Sequence, residues 1–195
     1  MNFFRKLFKN YQESSNDKQV KKQPVHLSLD DSFVHHFINQ GGKFLYSTKI
    51  EEVVLNLRNI ISENNWKEIT CSDIDLLKLI SSVDVKAHQK FDNNIPFFTS
   101  CEHLIANTGE ILFSSNQLGV QKLSQITDNF IVYATTSQLV KNIGEGLTGI
   151  KTNFKGNIPS NISSIKNYAI SNSKDNILEF NSNSKNLYLL LFEDL

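Results

Sequence analysis

With 195 residues, 39% hydrophobic and 21% charged, the chain is long enough to bury a real core in one domain without disulfides and too apolar for a disordered one. Its formal net charge is zero, so no overall field favours nucleic acid as a partner. No apolar run reaches the roughly 18 residues of a transmembrane segment, and the longest late run, Leu187 to Phe192, is strand-sized.

Only Cys71 and Cys101 are present. Two thiols cannot supply the four ligands of an iron–sulfur cluster or a structural zinc site, so neither a metal nor a cofactor is expected on this chain. Sparse cysteine and the lack of a secretory leader pattern lead us to expect a reducing, cytoplasmic setting.

Residues 1–24 read as a separate segment, ahead of a single domain over 25–195. Six basic residues against two acidic ones give the segment +4, leaving −4 for the remainder. Phe3, Phe4, Leu7, Phe8 and Tyr11 recur at helical spacing opposite Arg5, Lys6 and Lys9. A short amphipathic helix of this kind can rest on its own domain, on a homo-oligomer neighbour, on another partner or on a membrane surface, or simply fray. Residues 12–24 read as a polar linker.

From Asp30 the pattern becomes regular. Asp30 or Asp31 is expected to cap a helix carrying Phe33, Val34, Phe37 and Ile38, stopped by Gly41-Gly42, with His35 and His36 at its surface. A strand follows at Lys43–Tyr46. Thr48 to Glu51 reads as a capping box for a helix whose apolar face runs from Ile50 to Ile61, and Lys67–Cys71 reads as the next strand. Strand, helix, strand is a βαβ unit, which predicts a parallel pair with a right-handed crossover. A further helix carries Ile74, Leu77 and Ile80, Val83–Val85 reads as a short strand, and Phe91–Thr99, with Pro96, reads as a loop.

Cys101 to Ser115 is the centre of the chain. The apolar runs Leu104–Ala106 and Ile111–Phe113 flank Asn107-Thr108-Gly109-Glu110, where Gly109 can take a positive φ: strand, tight turn, strand. Polar side chains crowd the turn and the exit of the second strand, where a sheet can present groups to a ligand. Cys101 and His103 share a face of an extended segment and Glu102 points away, which leaves a nucleophile without an orienting third group. Glu110 is the better-placed carboxylate and the one catalytic candidate, though a lone acid in a hairpin is more often solvated.

Beyond it, Asn116–Val120 reads as a loop, Val120, Leu123 and Ile126 as helical turns, Phe130–Ala134 as a strand, and Leu139 to about Phe154 as a helix. Within that helix Gly144-Glu-Gly146-Leu-Thr-Gly149 spells G-x-G-x-x-G. A dinucleotide site needs those glycines directly after a strand, at a helix N-terminus; placed two turns into a helix they read as close packing. Asn161 to Asn186 reads as a long polar excursion with a short strand near Tyr168–Ile170. Leu187–Phe192 reads as a closing strand buried on both faces.

The run from Ile105 to Ser115, the loop containing Gly119, the strand Phe130–Ala134 and the helix beyond Ser137 together resemble the core of the LUD domain, in particular the lactate-utilisation protein C family. That family carries an A-x-[ST]-G-T motif followed by apolar residues, Ser-Ser and a Gly-rich basic loop. Asn186–Leu195 is similar to its closing strand, and Pro159–Ile165 to the segment before a G-P-S-x-x-A-D-I-E loop; the resemblance spans roughly residues 40–195. It implies an α/β domain with a mostly parallel sheet flanked by helices, of the type shared by sugar-phosphate isomerases and coenzyme A transferases. It also implies a part in L-lactate oxidation beside separate iron–sulfur proteins, with a small organic acid or anionic metabolite as ligand, rather than a self-sufficient enzyme. The matching positions Ala106, Thr108, Gly109, Ser114, Ser115 and Gly119, with Asn107 between them, are the candidate ligand-binding residues. Asn107 stands where the family has an acid, and Glu110 where it has Thr. Gln117, Leu118 and Val120 replace the loop's Gly, Lys and Arg, and Asn167–Asp175 lacks the later loop's Gly and Pro. An enzyme acting through Glu110, Thr108 and the Asn116–Val120 loop, or a diverged interaction protein, are the alternatives.

Overall fold

The computed structural model describes residues 27–168 and 184–194, so the N-terminal amphipathic segment lies outside the described residues. In chain order the elements are α1 (Leu29–Asn39), β1 (Lys43–Ser47), α2 (Ile50–Glu63), β2 (Glu68–Thr70), α3 (Ile74–Ile80), β3 (Lys86–His88), β4 (Phe97–Ser100), β5 (His103–Ile105), β6 (Glu110–Ser114), α4 (Ser115–Leu118), β7 (Asn129–Thr135), β8 (Leu139–Val140), α5 (Ile143–Asn153), β9 (Ile162–Ile165) and β10 (Asn186–Phe192).

Six strands form an all-parallel sheet in the order β1-β10-β7-β4-β2-β3. The other four form a mixed sheet, β8-β5-β6-β9. The fold is therefore α/β with a parallel sheet flanked by helices, as expected. β10 explains the layering. Leu189 and Leu191 point to one face and Tyr188 and Leu190 to the other, and Leu187 to Leu191 are all buried. One face takes Val53, Leu57 and Ile60 of α2 with Leu76 and Ile80 of α3. The opposite face takes Phe33 and Phe37 of α1 together with Leu104, Ile111 and Phe113 of the mixed sheet. An unbroken apolar strand is stable only with cover on both sides, and the sequence supplies both covers.

The structure departs from the sequence expectations at several points, each for a local physical reason. β1 and β2 run parallel but are not neighbours, because β10, β7 and β4 lie between them; the crossover rule fixes direction and hand, not adjacency. Ser28 caps α1, its hydroxyl 3.4 Å from the Asp31 N–H, rather than Asp30 or Asp31. At α2 the reach-back to the Thr48 N–H comes from Glu52, at 2.9 Å, not Glu51. Val83–Val85 is a turn, its N–H groups bonded back to Ile80 and Val83, and the strand begins at Lys86. Phe97–Ser100, expected as loop, is an inner strand; Pro96 at its entrance removes no ladder donor, and its carbonyl accepts the Thr70 N–H at 2.8 Å. Asn116–Val120, expected as a loop, begins with the short helix α4, and Val120 is 94% exposed, so the turn beyond it is carried by Leu123 and Ile126.

Leu139 and Val140, expected to open a helix, instead pair with Leu104 and Ile105 as β8, and α5 starts only at Ile143. The glycine motif thus sits nearer a strand than expected, yet the helix N-terminus is already occupied. Asn142 accepts from the Glu145 N–H at 3.0 Å, and the Glu145 carboxylate accepts from the Lys141 N–H at 2.8 Å. A pyrophosphate there would meet a carboxylate. The glycines do pack the helix closely: a Cβ on Gly149 would lie 2.8 Å from His103 Nε2, and one on Gly146 3.3 Å from Ile105 Cδ1. Within the expected polar excursion, Ile162–Ile165 is a strand paired with β6. Tyr168 lies beyond that strand, and the rest of the strand expected at Tyr168–Ile170 lies outside the described residues.

Because Leu190 is fully buried on β10 between β1 and β7, truncating it to Ala is expected to cost about 2–5 kcal/mol through lost transfer energy and an unfilled cavity. A lowered urea midpoint at unchanged slope is the readout.

Candidate functional site

The β5–β6 hairpin carries the sequence-derived site residues from Ala106 to Ser114, with Ser115 and Gly119 on the short helix α4 and its C-cap, and its two ends have different fates. At the turn, Gly109 has φ +69° and lies against α1 so closely that a Cβ would stand 2.6 Å from the Phe37 backbone nitrogen. The turn's carbonyls are taken up internally. Ser32 Oγ donates to Ala106 O at 3.1 Å, Gln40 Nε2 to Thr108 O at 2.6 Å, and the Tyr168 hydroxyl to Gly109 O at 2.7 Å. Ala106 is buried, while the Asn107 and Thr108 side chains face solvent. The turn is therefore a docking point for α1 and Tyr168, whose phenol burial pushes far up.

Glu110 is not solvated as the bare pattern suggested. It is 7% exposed, with Oε1 3.2 Å from the Lys166 ammonium and a buried Oε2 that has no hydrogen-bond partner. A half-satisfied buried carboxylate is costly, and the pairing with Lys166 offsets that cost.

At the far end of β6, Ser114 is fully buried and caps α4. Its hydroxyl donates to Glu102 Oε1 at 2.5 Å, and the same oxygen accepts from Asn116 Nδ2 at 3.0 Å and Gln117 Nε2 at 3.1 Å. Three donors on one oxygen fix the Glu102 carboxylate and leave Oε2 without a hydrogen bond among the described residues. Ser115 Oγ accepts from the Ser160 N–H at 3.2 Å, and Gly119, at φ +58°, sits in open space. β6 separates the two ends by five residues, about 14–17 Å. The candidate ligand residues thus divide into Ala106–Gly109 on one side and Ser114, Ser115 and Gly119 on the other. The structure does not bring Glu110 or Thr108 to the Asn116–Val120 loop.

The Ser114 end coincides with the carboxyl ends of the parallel strands, the place where open α/β sheets gather ligand groups. Ser100, ending β4, donates to Asp73 Oδ2 at 3.0 Å. Gln138 Nε2 donates to Cys101 O at 2.5 Å and also lies 3.3 Å from Glu102 O, while its Oε1 accepts from the Thr135 N–H at 2.8 Å. Asp194, just past β10, accepts from Ser137 N and Oγ at 3.0 and 2.6 Å and from Thr136 Oγ1 at 2.9 Å. Burial alone would raise the Asp194 carboxyl, but the Ser137, Thr136 and Thr135 hydrogen bonds outweigh it and hold it at about 2.

The thiols touch this rim only weakly, Cys101 Sγ lying 3.9 Å from Gln138 Nε2 and Cys71 Sγ 3.6 Å from Asp73 O. Burial pushes the Cys101 thiol well up, its neighbour Glu102 adding to the effect, and raises Cys71 to about 11. His103 packs under Gly149 with Nδ1 3.3 Å from Gln138 O. Among the described residues, no group of three or more His, Cys, Asp or Glu side chains is placed to hold a metal ion. Sequence reasoning set Glu102 aside as pointing away from Cys101 and His103, read Gln117 only as a replacement in the family's Gly-rich loop, and did not single out Gln138 or Asp194. Two of them carried a readable signal: Ser114-x-x-Gln117 and Thr135-x-x-Gln138 are both capping boxes of the S/T-x-x-Q kind.

Two measurements check this geometry. Gly109→Ala meets both a left-handed backbone and the Phe37 backbone, so a loss of at least about 2 kcal/mol is expected in urea unfolding. For Asp194, a carbon-detected NMR titration should give a midpoint near 2, moving toward the ordinary 3.8 in Ser137→Ala. A folded-state pKa below the unfolded one means that this contact stabilises above pH ~4 and is lost as pH falls toward 2.

A model of the LUD domain matches residues 31–191, slightly beyond the N-terminal limit of the resemblance read from sequence. Among solved structures, the crystal structure of a DUF162 family protein from Deinococcus radiodurans is similar to this chain with a TM-score of 0.60. Identity is 15%, over 86% of this chain and 99% of that one, a likeness that bears on fold rather than ligand. Comparison with the curated proteins yields no match. With the family model extending from the first turn of α1 to the penultimate residue of β10, the chain belongs to the LUD domain family.

Proposed function

We propose that this protein is an accessory or ligand-binding component of L-lactate or related organic-acid utilisation, working in the cytoplasm beside separate iron–sulfur proteins. The LUD domain itself, from a family associated with lactate utilisation, is the observation that carries the reading. Membership of the lactate-utilisation protein C branch is part of the proposal. Both cysteines are buried, one in each core, which fits a reading in which the clusters and the electron transfer belong to partner chains. Among the described residues no helix is long and apolar enough to cross a membrane, in keeping with a role that does not require insertion.

Of the two hairpin ends, the Ser114 end is the one proposed to meet the ligand, since the turn's backbone is spent on α1 and Tyr168. There Glu102 Oε2 is an oriented acceptor, and Ser115, Asn116 and Gln117 retain donor protons beyond the bonds they already make. A hydroxy acid can place its hydroxyl on Glu102 and its carboxylate toward those donors. An enzyme that combines Glu110 and Thr108 with the Asn116–Val120 loop has no geometric basis, because β6 holds those groups apart.

Tagged protein purified from its native host grown on lactate should bring down iron–sulfur proteins with brown visible absorbance, identified by mass spectrometry. Colourless protein recovered alone under those conditions argues against the accessory role.

A further inference from the structure

Away from the rim, the β3–β4 loop (residues 89–96) and the stretch between α4 and β7 (residues 119–128) face each other across an open cleft of about 610 Å3. Phe91, Asp92, Asn93, Asn94, Gln121 and Gln125 line it. A second depression of about 380 Å3 adjoins it, sharing Phe91 and Asp92 and reaching Glu68 and His88.

Hydrogen bonding inside the loop leaves most of this polar lining unspent. Asp92 Oδ1 accepts from both the backbone and the side-chain nitrogen of Asn94, at 2.9 and 3.1 Å, which fixes the carboxylate. Among the described residues, its Oδ2 and the side-chain amides of Asn93, Gln121 and Gln125 make no hydrogen bond. Phe91 is half-buried, its ring tilted against Phe97 at 4.9 Å and joined to the core, so the one aromatic surface in the cleft is held in place.

Amides both donate and accept, and a carboxylate accepts twice; vicinal hydroxyls also donate and accept, at matching spacing. An aromatic ring beside such groups covers the apolar C–H face of a sugar ring. Within the larger depression a free anion would meet Asp92 and no lining cation, Lys90 belonging to the lining of the adjoining depression. We infer that this cleft binds an uncharged polyhydroxylated ligand, a sugar or polyol, through the polar groups of Asp92, Asn93, Gln121 and Gln125, with the exposed part of Phe91 adding a small apolar contact. The site is separate from the Glu102 rim and does not depend on the lactate reading.

The test uses the full isotope-labelled chain, with D-glucose and myo-inositol as probes and L-lactate and inorganic phosphate as anionic comparisons. Saturable shifts of the Asn93, Gln121 and Gln125 side-chain amide signals are expected with at least one of the sugar-type probes at millimolar concentration. Gln121→Ala with Gln125→Ala should weaken that binding about tenfold, the worth of one or two hydrogen bonds, while the unfolding midpoint stays put. Absence of saturable shifts with both sugar-type probes, equal or stronger shifts with the anions, or an unchanged affinity in the double variant would each overturn the inference. Lactate binding confined to signals around Glu102, with the cleft silent to both sugar-type probes, would overturn it and leave the rim proposal standing.

Discussion

The demand of β10 for apolar cover on both faces governs the architecture. A strand reading Leu-Tyr-Leu-Leu-Leu from Leu187 cannot sit at a wet edge; paired with β1 and β7, it buries its backbone while α2 and α3 close one face and α1 and the mixed sheet the other. Its start is pinned by a buried cation. Lys185 is 2% exposed, and its ammonium donates to Ile126 O at 2.9 Å and to Asp128 at 3.1 Å, tying the entrance of β10 to that of β7. Its exit is pinned by Asp194 on Thr136 and Ser137. Both ends of the central strand are therefore fastened to the same neighbour, a pairing of residues nearly sixty positions apart that defines the parallel register.

The second constraint is the passage between sheets. The chain leaves the parallel sheet for the mixed one twice, after β4 and after β7, and the two crossings lie side by side. Gln138 buttons one to the other through Cys101 O, and His103 returns a contact to the Gln138 carbonyl. Backbone at such crossings cannot join a ladder, so its polar groups need side-chain partners. That need explains why the carboxyl-end rim is rich in Ser, Thr, Gln and carboxylates. Many of these groups serve the crossings first, and only leftover capacity, such as the second oxygen of Glu102, is open to anything else.

Much of the fold was legible because its signals are local and physical. The periodicity of α2, the continuous apolar run of β10 and the hairpin turn at Gly109 each state their conformation without outside help. What stayed hidden depended on partners distant in sequence. Leu139-Val140 with Ile143 satisfies helical spacing as well as it does a two-residue strand and a cap, and only the edge of β5 decides between them. Ile162-Ser-Ser-Ile165 spaces its apolar residues three apart instead of two and sits among Ser and Asn, so its pairing with β6 could not be read from pattern or composition. For the site, residue type was legible and grouping was not. The motif Ala106 to Ser115 is contiguous in sequence, and a strand converts that contiguity into separation.

That conversion bears on how a family motif should be carried onto a diverged chain. Gly109 matches the family pattern, yet here its lack of a side chain is required by the approach of Phe37, and Ala106 and Thr108 lend their carbonyls to α1. Half of the motif can thus persist for packing alone, whatever becomes of the ligand. The Ser114 half is different. A buried hydroxyl that both caps α4 and orients Glu102 links the start of a helix to a carboxylate twelve residues earlier, and the short helix could be capped without Glu102. The arrangement holds one carboxylate oxygen with three donors and leaves its other oxygen without a hydrogen bond among the described residues. Capping of α4 alone does not require that, which is why the proposed ligand is placed at the Glu102–Ser114 pair and not at the turn.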